Sequence, residues 1–498
     1  MLQPSPALGS RTMPEDAAMS SANDPSSSSS SSSSARKDIV HVEVRLRPPH
    51  HHHSSYHSSD WQSHSVSQRV ELFLRRNCVS VDCDARFEGK LWADCDPFLA
   101  ERVESIRVAE AASGRLRVPI EECEFRVYEY ETVNTVEELS AGDPEGQDEG
   151  QDLMAATVSE LPSNSIDGTW ETLIYGDDTK QRLLRYVQST LLFSAMKVDF
   201  NVINWNRVVL LHGPPGTGKT SLCRALAHKL SIRMRHQFSH GKLVEINSHS
   251  LFSKWFSESG KLVQRLFALI DELVEDEKAF VVILIDEVES LTTARQAAAS
   301  GTEPSDAVRV VNAVLTQLDR LKSRENVLIM TTSNISGSID HAFIDRADIK
   351  QYIGLPPPAA IYWILRSCLD ELMRAGVVAH EILYSWQTLD AGVGGGVDGQ
   401  QLQQSDRDKR ASWRLRALAE SCQGLSARTL RKLPMLAYAR YISASTSALP
   451  VGFDAFMDAL QMSLADSLRE AQHAAEGHAG TTAGSGPNGA GINGMMRS

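Results

Sequence analysis

The 498-residue chain is predicted to be α/β: a five-stranded parallel sheet, an all-helical C-terminal domain, and a small α+β domain ahead of the sheet. From Val208 onward strands and helices alternate, and the strands are continuous apolar runs, the pattern of a parallel sheet covered on both faces. Gly354 and Pro356 to Pro358 end that alternation, and beyond Ala359 the apolar spacing is helical.

Strands are predicted at 207–211, 242–247, 280–285, 327–331 and 349–353, with helices at 219–230, 259–275, 306–321 and 358–375. Further helices are expected at 411–421, 426–446 and 452–473. Ahead of the sheet, Val40, Val42, Val44 and Leu46 alternate with polar residues as in a half-buried strand. Val70, Phe73 and Leu74 suggest a short helix, and 105–108 and 125–128 read as strands. The domain limits follow: a serine-rich disordered start (1–37), the α+β domain (38–135), an acidic linker (136–162), the sheet domain (163–355), the helical domain (356–474) and a Gly/Ala-rich disordered tail (475–498). An insert at 392–410 is expected to be a surface loop, and the His50 to His53 run a solvated one.

The first strand of the sheet runs into Gly213-Pro214-Pro215-Gly216-Thr217-Gly218-Lys219-Thr220, the spacing G-x-x-x-x-G-K-[ST] of a phosphate-binding loop. A helix follows at once, with Leu222, Ala225, Leu226 and Leu230 on one face. The glycines let backbone N–H groups turn inward toward phosphate oxygens, and the helix N-terminus adds positive potential. Lys219 is placed to reach the β- and γ-phosphates and Thr220 to ligate Mg²⁺; Ser221 completes the nucleotide-binding stretch. ATP and Mg²⁺ are therefore the expected cofactors.

The run from Phe280 ends in Asp286 and Glu287, so two carboxylates meet the same edge of the sheet. Asp286 is suited to the Mg²⁺ shell and Glu287 to polarising the attacking water. Asn334, after the strand at 327–331, can orient that water. Arg346, between Asp345 and Asp348, is a candidate for stabilising transition-state charge at a neighbour's γ-phosphate. Arg428, preferred over Arg431, opens a C-terminal helix and is a candidate to close over the phosphates. Leu173, Ile174 and Gly176 are adenine-pocket candidates upstream of the loop. Trp255 and Phe256 stand in a polar, glycine-bounded loop, where aromatics either dock into a core or grip another molecule.

The balance of 50 basic against 63 acidic residues argues against a general nucleic-acid or membrane-surface binder. No apolar run reaches membrane-spanning length, and the first residues lack a basic segment followed by an apolar one, so secretion is not expected. The seven cysteines are scattered, without C-x-x-C, which fits a reducing compartment rather than a disulfide framework or structural zinc.

Together these residues resemble an AAA+ ATPase: Walker A at 213–220, Walker B at 281–287, sensor 1 at Asn334, an arginine finger near Arg346 and sensor 2 at Arg428. The helical domain then becomes the lid of an AAA+ P-loop core. The runs NRVVLLHGPPGTGKTSLCRALAHKLSIR, LVEINSHSLFSKWFSESGKLV, LIDEVESLTTAR, GTEPSDAVRVVNAVLTQLD and DRADIKQYIG are similar to the pachytene checkpoint protein 2 family, also called thyroid-receptor-interacting remodellers. HVEVRLRP and the DPFL stretch resemble that family's substrate-binding N-terminal domain.

The resemblance implies a homo-hexameric ring that remodels HORMA-domain proteins presented by a HORMA-like adaptor. It implies roles in meiotic chromosome-axis remodelling and recombination and in spindle-checkpoint silencing, in the nucleus and cytoplasm. No membrane association and no direct nucleic-acid binding are expected. Trp255 and Phe256 would then be pore-loop residues that grip substrate. One departure touches a site: the usual arginine pair after the sensor 1 helix is reduced to Arg346. A nucleic-acid motor on the same core would be expected to carry a basic pore lining. A nucleotide-gated scaffold would not need Glu287 and Asn334.

Overall fold

The computed structural model describes residues 37–48, 59–92, 96–140, 154–199, 202–203, 205–248, 259–290, 306–322, 324–334, 341–391, 399–442 and 449–482. The serine-rich start, the His50 to His53 run, and Trp255 with Phe256 lie outside the described residues.

The N-terminal domain is built from β1 (Asp38–Leu46), α1 (Ser59–Asn77), β2 (Ser80–Asp82), β3 (Arg86–Glu88), α2 (Pro97–Arg102), β4 (Val103–Ala111), β5 (Arg117–Pro119) and β6 (Cys123–Tyr130). Its main sheet has the order β3-β4-β1-β6, with β1 antiparallel to β4 and parallel to β6. Val40, Val42 and Val44 form one core with Val66, Val70 and Leu74 of α1, as the period-2 and period-3.6 patterns require.

The second domain comprises β7 (Val136–Ser140), β8 (Met154–Leu161), α3 (Thr169–Thr172), α4 (Thr179–Ala195), β9 (Val208–His212), α5 (Lys219–Arg233), β10 (His240–Asn247), α6 (Ser259–Glu275), β11 (Ala279–Asp286), α7 (Asp306–Leu321), β12 (Val327–Ser333), α8 (His341–Arg346) and β13 (Ile349–Tyr352). The sheet order is β13-β9-β12-β11-β10-β8-β7. The five predicted strands form its parallel part. Both ends of the expected linker join it as well: β8 pairs antiparallel with β10, and β7 with β8, so the sheet has seven strands. Ala156 and Val158 are buried there, and β8 covers the otherwise open edge of β10.

Apolar side chains of β11 alternate between two cores. Val281, Ile283 and Ile285 pack toward α6 and α7. Phe280, Val282 and Leu284 pack toward α4 and α5.

The C-terminal helices are α9 (Pro358–Arg374), α10 (Trp386–Ala391), α11 (Gly399–Ser421), α12 (Ala427–Ala437) and α13 (Phe453–Thr482), gathered on one core. Two helices outrun their predicted limits. Helix α11 begins at Gly399, inside the insert expected to be a loop, and α13 continues to Thr482, past residue 475. The first extension lacks apolar periodicity but is rich in Gln, Lys and Arg, whose helix propensity carries it; the second, Glu476 to Thr482, holds two glycines and two threonines, and its composition does not account for it. Helix α12 contains Pro434 and passes at Tyr438 into a π turn over Tyr438–Ile442; the rest of the predicted span, to residue 446, lies outside the described residues.

Candidate active site

The phosphate-binding loop leaves β9 at His212 and enters α5 at Lys219. Gly213 has φ +146°, and a Cβ there would sit 2.1 Å from the carbonyl oxygen of Ile353, so no other residue fits. The Lys219 ammonium is buried and donates to the carbonyl oxygens of Gly213 (2.9 Å) and Pro214 (2.8 Å). The Thr217 hydroxyl donates to the same Pro214 oxygen at 3.0 Å, which ties the loop across its base. Burial pulls the Lys219 ammonium below its usual pKa; Glu289 and Asp286 oppose the shift and Arg428 adds to it. Ser221 lies in the first turn of α5.

Strand β11 delivers Asp286 to this loop. The Thr220 hydroxyl donates to Asp286 Oδ1 at 2.9 Å. A hydroxyl and a carboxylate so paired at the mouth of a phosphate loop are hard oxygen donors, the set that suits Mg²⁺ with phosphate oxygens. Glu287 follows with a positive φ of +58° and an exposed side chain. Asn334, one residue beyond β12, points its Nδ2 at Glu287 Oε1 (3.4 Å), and its backbone N–H donates to Glu289 Oε1 at 3.0 Å. Glu289 was not among the sequence candidates; the signal available was its spacing, two residues beyond Glu287.

A cleft beside the loop is lined by Ile174, Tyr175, Gly176, Thr217, Tyr352 and Ala427, which joins the adenine candidates Ile174 and Gly176 to the phosphate site. Tyr175, passed over in the sequence, sits between them, and burial pushes its phenol well above the usual value. Leu173 also reaches the loop: a Cβ on Gly218 would meet its Cδ2 at 3.2 Å.

The helical domain closes over the same loop. Ser426 caps α12 by accepting from Thr429 N–H at 3.2 Å. Arg428 N–H donates to Gly216 O at 3.2 Å. A Cβ on Gly216, whose φ is +75°, would come within 2.8 Å of Ser426 Oγ and 3.2 Å of Arg428 Cβ. Arg431 is turned elsewhere and donates to Thr172 O at 2.8 Å.

Arg346 is engaged within its own chain. Its guanidinium forks onto Asp319 of α7 (Nε–Oδ1 3.0 Å, Nη2–Oδ2 2.6 Å) and donates to Ala342 O at 2.8 Å. The sequence neighbours Asp345 and Asp348 do not take this fork. Asp348 instead accepts from the N–H groups of Asn206 (2.7 Å) and Arg207 (2.8 Å).

Comparison with known proteins places three successive segments of the chain. Residues 209–355 match the ATPase family associated with various cellular activities (AAA). Residues 357–468 match the TRIP13-like AAA+ ATPase lid C-terminal domain, and residues 35–135 the TRIP13 N-terminal domain. The pachytene checkpoint protein 2 homolog of Xenopus tropicalis is 44% identical over 448 residues, 88% of this chain and 95% of that protein. The homolog of Oryza sativa subsp. indica is 48% identical over 384 residues, 75% of this chain and 79% of that protein. The solved structure of C. elegans PCH-2 superposes with a TM-score of 0.64 at 32% identity, covering 86% of this chain and 99% of that one. Identity on this scale, running through all three domains, means that the chain belongs to the pachytene checkpoint protein 2 family of AAA+ ATPases and is an ATP-hydrolysing enzyme.

Proposed function

We propose that the protein works as a homo-hexameric ring that couples ATP hydrolysis to partial unfolding of HORMA-domain proteins presented by a HORMA-like adaptor. Its setting is meiotic chromosome-axis remodelling and recombination together with spindle-checkpoint silencing, in the nucleus and the cytoplasm. Family membership and the N-terminal domain match at residues 35–135 support this reading.

The single observation that carries the hydrolytic part is the approach of Asn334 Nδ2 to Glu287 Oε1 (3.4 Å) beside the Thr220–Asp286 pair (2.9 Å). Residues 213–221 bind the nucleotide, and Lys219 holds its terminal phosphates. Thr220 and Asp286 hold Mg²⁺, which when bound offsets negative charge on the phosphates. Glu287 polarises the attacking water and Asn334 orients it. Ile174 and Gly176 flank the base. Arg428 reads the phosphates from the lid, Arg346 serves a neighbouring subunit, and Trp255 with Phe256 grips substrate in the pore.

The test is ATP turnover by the purified protein, with and without a closed-form HORMA protein and its adaptor, alongside Glu287→Gln. Stimulation by the pair, lost in Glu287→Gln, is expected. Basal turnover that ignores the pair but responds to DNA would overturn the substrate assignment.

A further inference from the structure

The turn that carries Asp286 and Glu287 is unusual in one respect. Glu287 is a non-glycine residue in the left-handed region, at φ +58°, a conformation that persists only where its surroundings impose it. Those surroundings are identifiable. Ser248, fully buried at the end of β10, donates its hydroxyl to the carbonyl oxygens of Asp286 and Glu287, the latter at 2.7 Å. From the other side comes Thr332 of β12, which is 1% exposed.

Thr332 makes contacts of both senses. Its Oγ1 accepts from Glu287 N–H at 3.2 Å. Its hydroxyl hydrogen goes to Asp286 Oδ1, the oxygen that also accepts from Thr220. The directions are forced, because an amide N–H only donates and an ionised carboxylate only accepts. Its backbone oxygen accepts from Val288 N–H at 3.0 Å, so the side chain and main chain of one residue span the whole Asp286–Val288 turn.

We propose that Thr332 is a positioning residue for ATP hydrolysis. Its single hydroxyl fixes the carboxylate rotamer of Asp286 and, through the Glu287 N–H, the strained backbone that aims the Glu287 carboxylate. The proposal rests on the reading of Glu287 as the water-activating base. No part of it needs Thr332 to touch nucleotide. In the sequence Thr332 is one of two adjacent strand threonines. The other, Thr331, donates its hydroxyl to Val209 O at 3.3 Å instead.

The test compares Thr332→Val, which keeps the shape and removes the hydroxyl, with Thr332→Ser, which keeps the hydroxyl, and with Glu287→Gln. Thr332→Val should lower kcat on the order of 10- to 100-fold, the cost of a slightly misplaced catalytic group. Binding of a fluorescent ATP analogue in EDTA should stay within about twofold of the parent, since Lys219 and the loop amides are untouched. Thr332→Ser should retain at least half of parental turnover, a rescue that filling of space alone would not give. Turnover of Thr332→Val within twofold of the parent, with Glu287→Gln inactive, would overturn the proposal and leave the Glu287 assignment standing. So would a tenfold loss in Thr332→Ser, a readout that holds even where the valine variant folds poorly. Full turnover in Glu287→Gln would overturn the base assignment and the proposal together.

Discussion

Lys229 Nζ donates to Glu43 Oε2 at 2.7 Å, joining the P-loop helix α5 to the central strand of the N-terminal domain in a contact that is 3% exposed on each side. Arg233, one turn further along α5, donates to Glu43 Oε1 at 2.9 Å and to Glu110 Oε1 at 2.7 Å. Arg45 reaches Asp167 at 2.6 Å, and Arg107 reaches Glu171 at 2.7 Å, so the seam is lined with ion pairs. Helix α5 therefore has Lys219 of the phosphate loop at one end and the N-terminal domain at the other.

Removing the Glu43 charge leaves each of two buried cations with one carboxylate, Lys229 with Glu171 at 3.5 Å and Arg233 with Glu110 at 2.7 Å. Glu43→Gln is expected to weaken the docked arrangement by roughly 3–5 kcal/mol, the range for breaking a buried ion pair from one side. Hydrogen exchange on β1 and on the last turns of α5 should rise together. Unchanged protection of both would show that the apolar contacts of the seam suffice without the charges.

The same contact has a pH signature. Burial alone would raise the Glu43 carboxyl, but Lys229 and Arg233 outweigh it and lower it from 4.5 to about 2. A depressed carboxyl stabilises the fold above its unfolded value and loses that contribution as pH falls through the folded value. The contribution is therefore present above about pH 4.5 and fades toward pH 2. Denaturant midpoints taken across that window should fall more steeply in the parent than in Glu43→Gln; parallel curves would remove Glu43 from the acid response.

These contacts explain why some features were legible in the sequence and others were not. The five parallel strands announce themselves as apolar runs because both faces are buried, as in β11. The Thr220–Asp286 pairing follows from the order of two motifs. Glu43 reads as a solvated residue of a half-buried strand, since Val42 and Val44 flank it; its partners stand 186 and 190 residues away. Strands β7 and β8 lie at the ends of an acidic stretch, and their pairing depends on the free edge of β10 rather than on their own composition. The role of Thr332 depends on which of two adjacent threonines faces the carboxylates, which composition does not reveal.

The closeness of Gly216 to the lid makes a further prediction. A methyl group there would press on Ser426 Oγ at 2.8 Å and Arg428 Cβ at 3.2 Å, on a backbone already at φ +75°. Gly216→Ala should push α12 off the loop and weaken ATP binding at least tenfold, while the N-terminal domain keeps its protection. An ATP affinity equal to the parent's would mean that the lid yields without consequence. Titration with a fluorescent nucleotide reads the difference directly.

The two lid arginines should separate cleanly. Arg428 shares a hydrogen bond with the phosphate loop through its own backbone, and its charge adds to the depression of Lys219. Arg431 holds Thr172 O instead. Arg428→Ala is expected to lower kcat by about tenfold or more, as for loss of a charge that stabilises the phosphates. Arg431→Ala should stay within about threefold. Steady-state turnover of both variants checks this, and an equal loss in both would place the sensing charge elsewhere.

Arg346 poses the opposite question, because its guanidinium is already forked onto Asp319. That pair is about a third exposed and contributes under about 1 kcal/mol to the fold. Service to a neighbouring subunit would require the fork to let go, so Asp319 competes with the neighbour's phosphate for the same planar donor set. Asp319→Asn weakens that competition and should leave turnover equal to or above the parent's. Arg346→Ala should abolish most turnover with little change in melting temperature. The deciding measurement mixes Arg346→Ala with Glu287→Gln subunits. If Arg346 acts across the interface, sites pairing an intact base with a neighbour's intact arginine regain activity in the mixture. If it acts only within its own chain, every site in the mixture lacks one of the two groups and activity stays at the level of the separate variants.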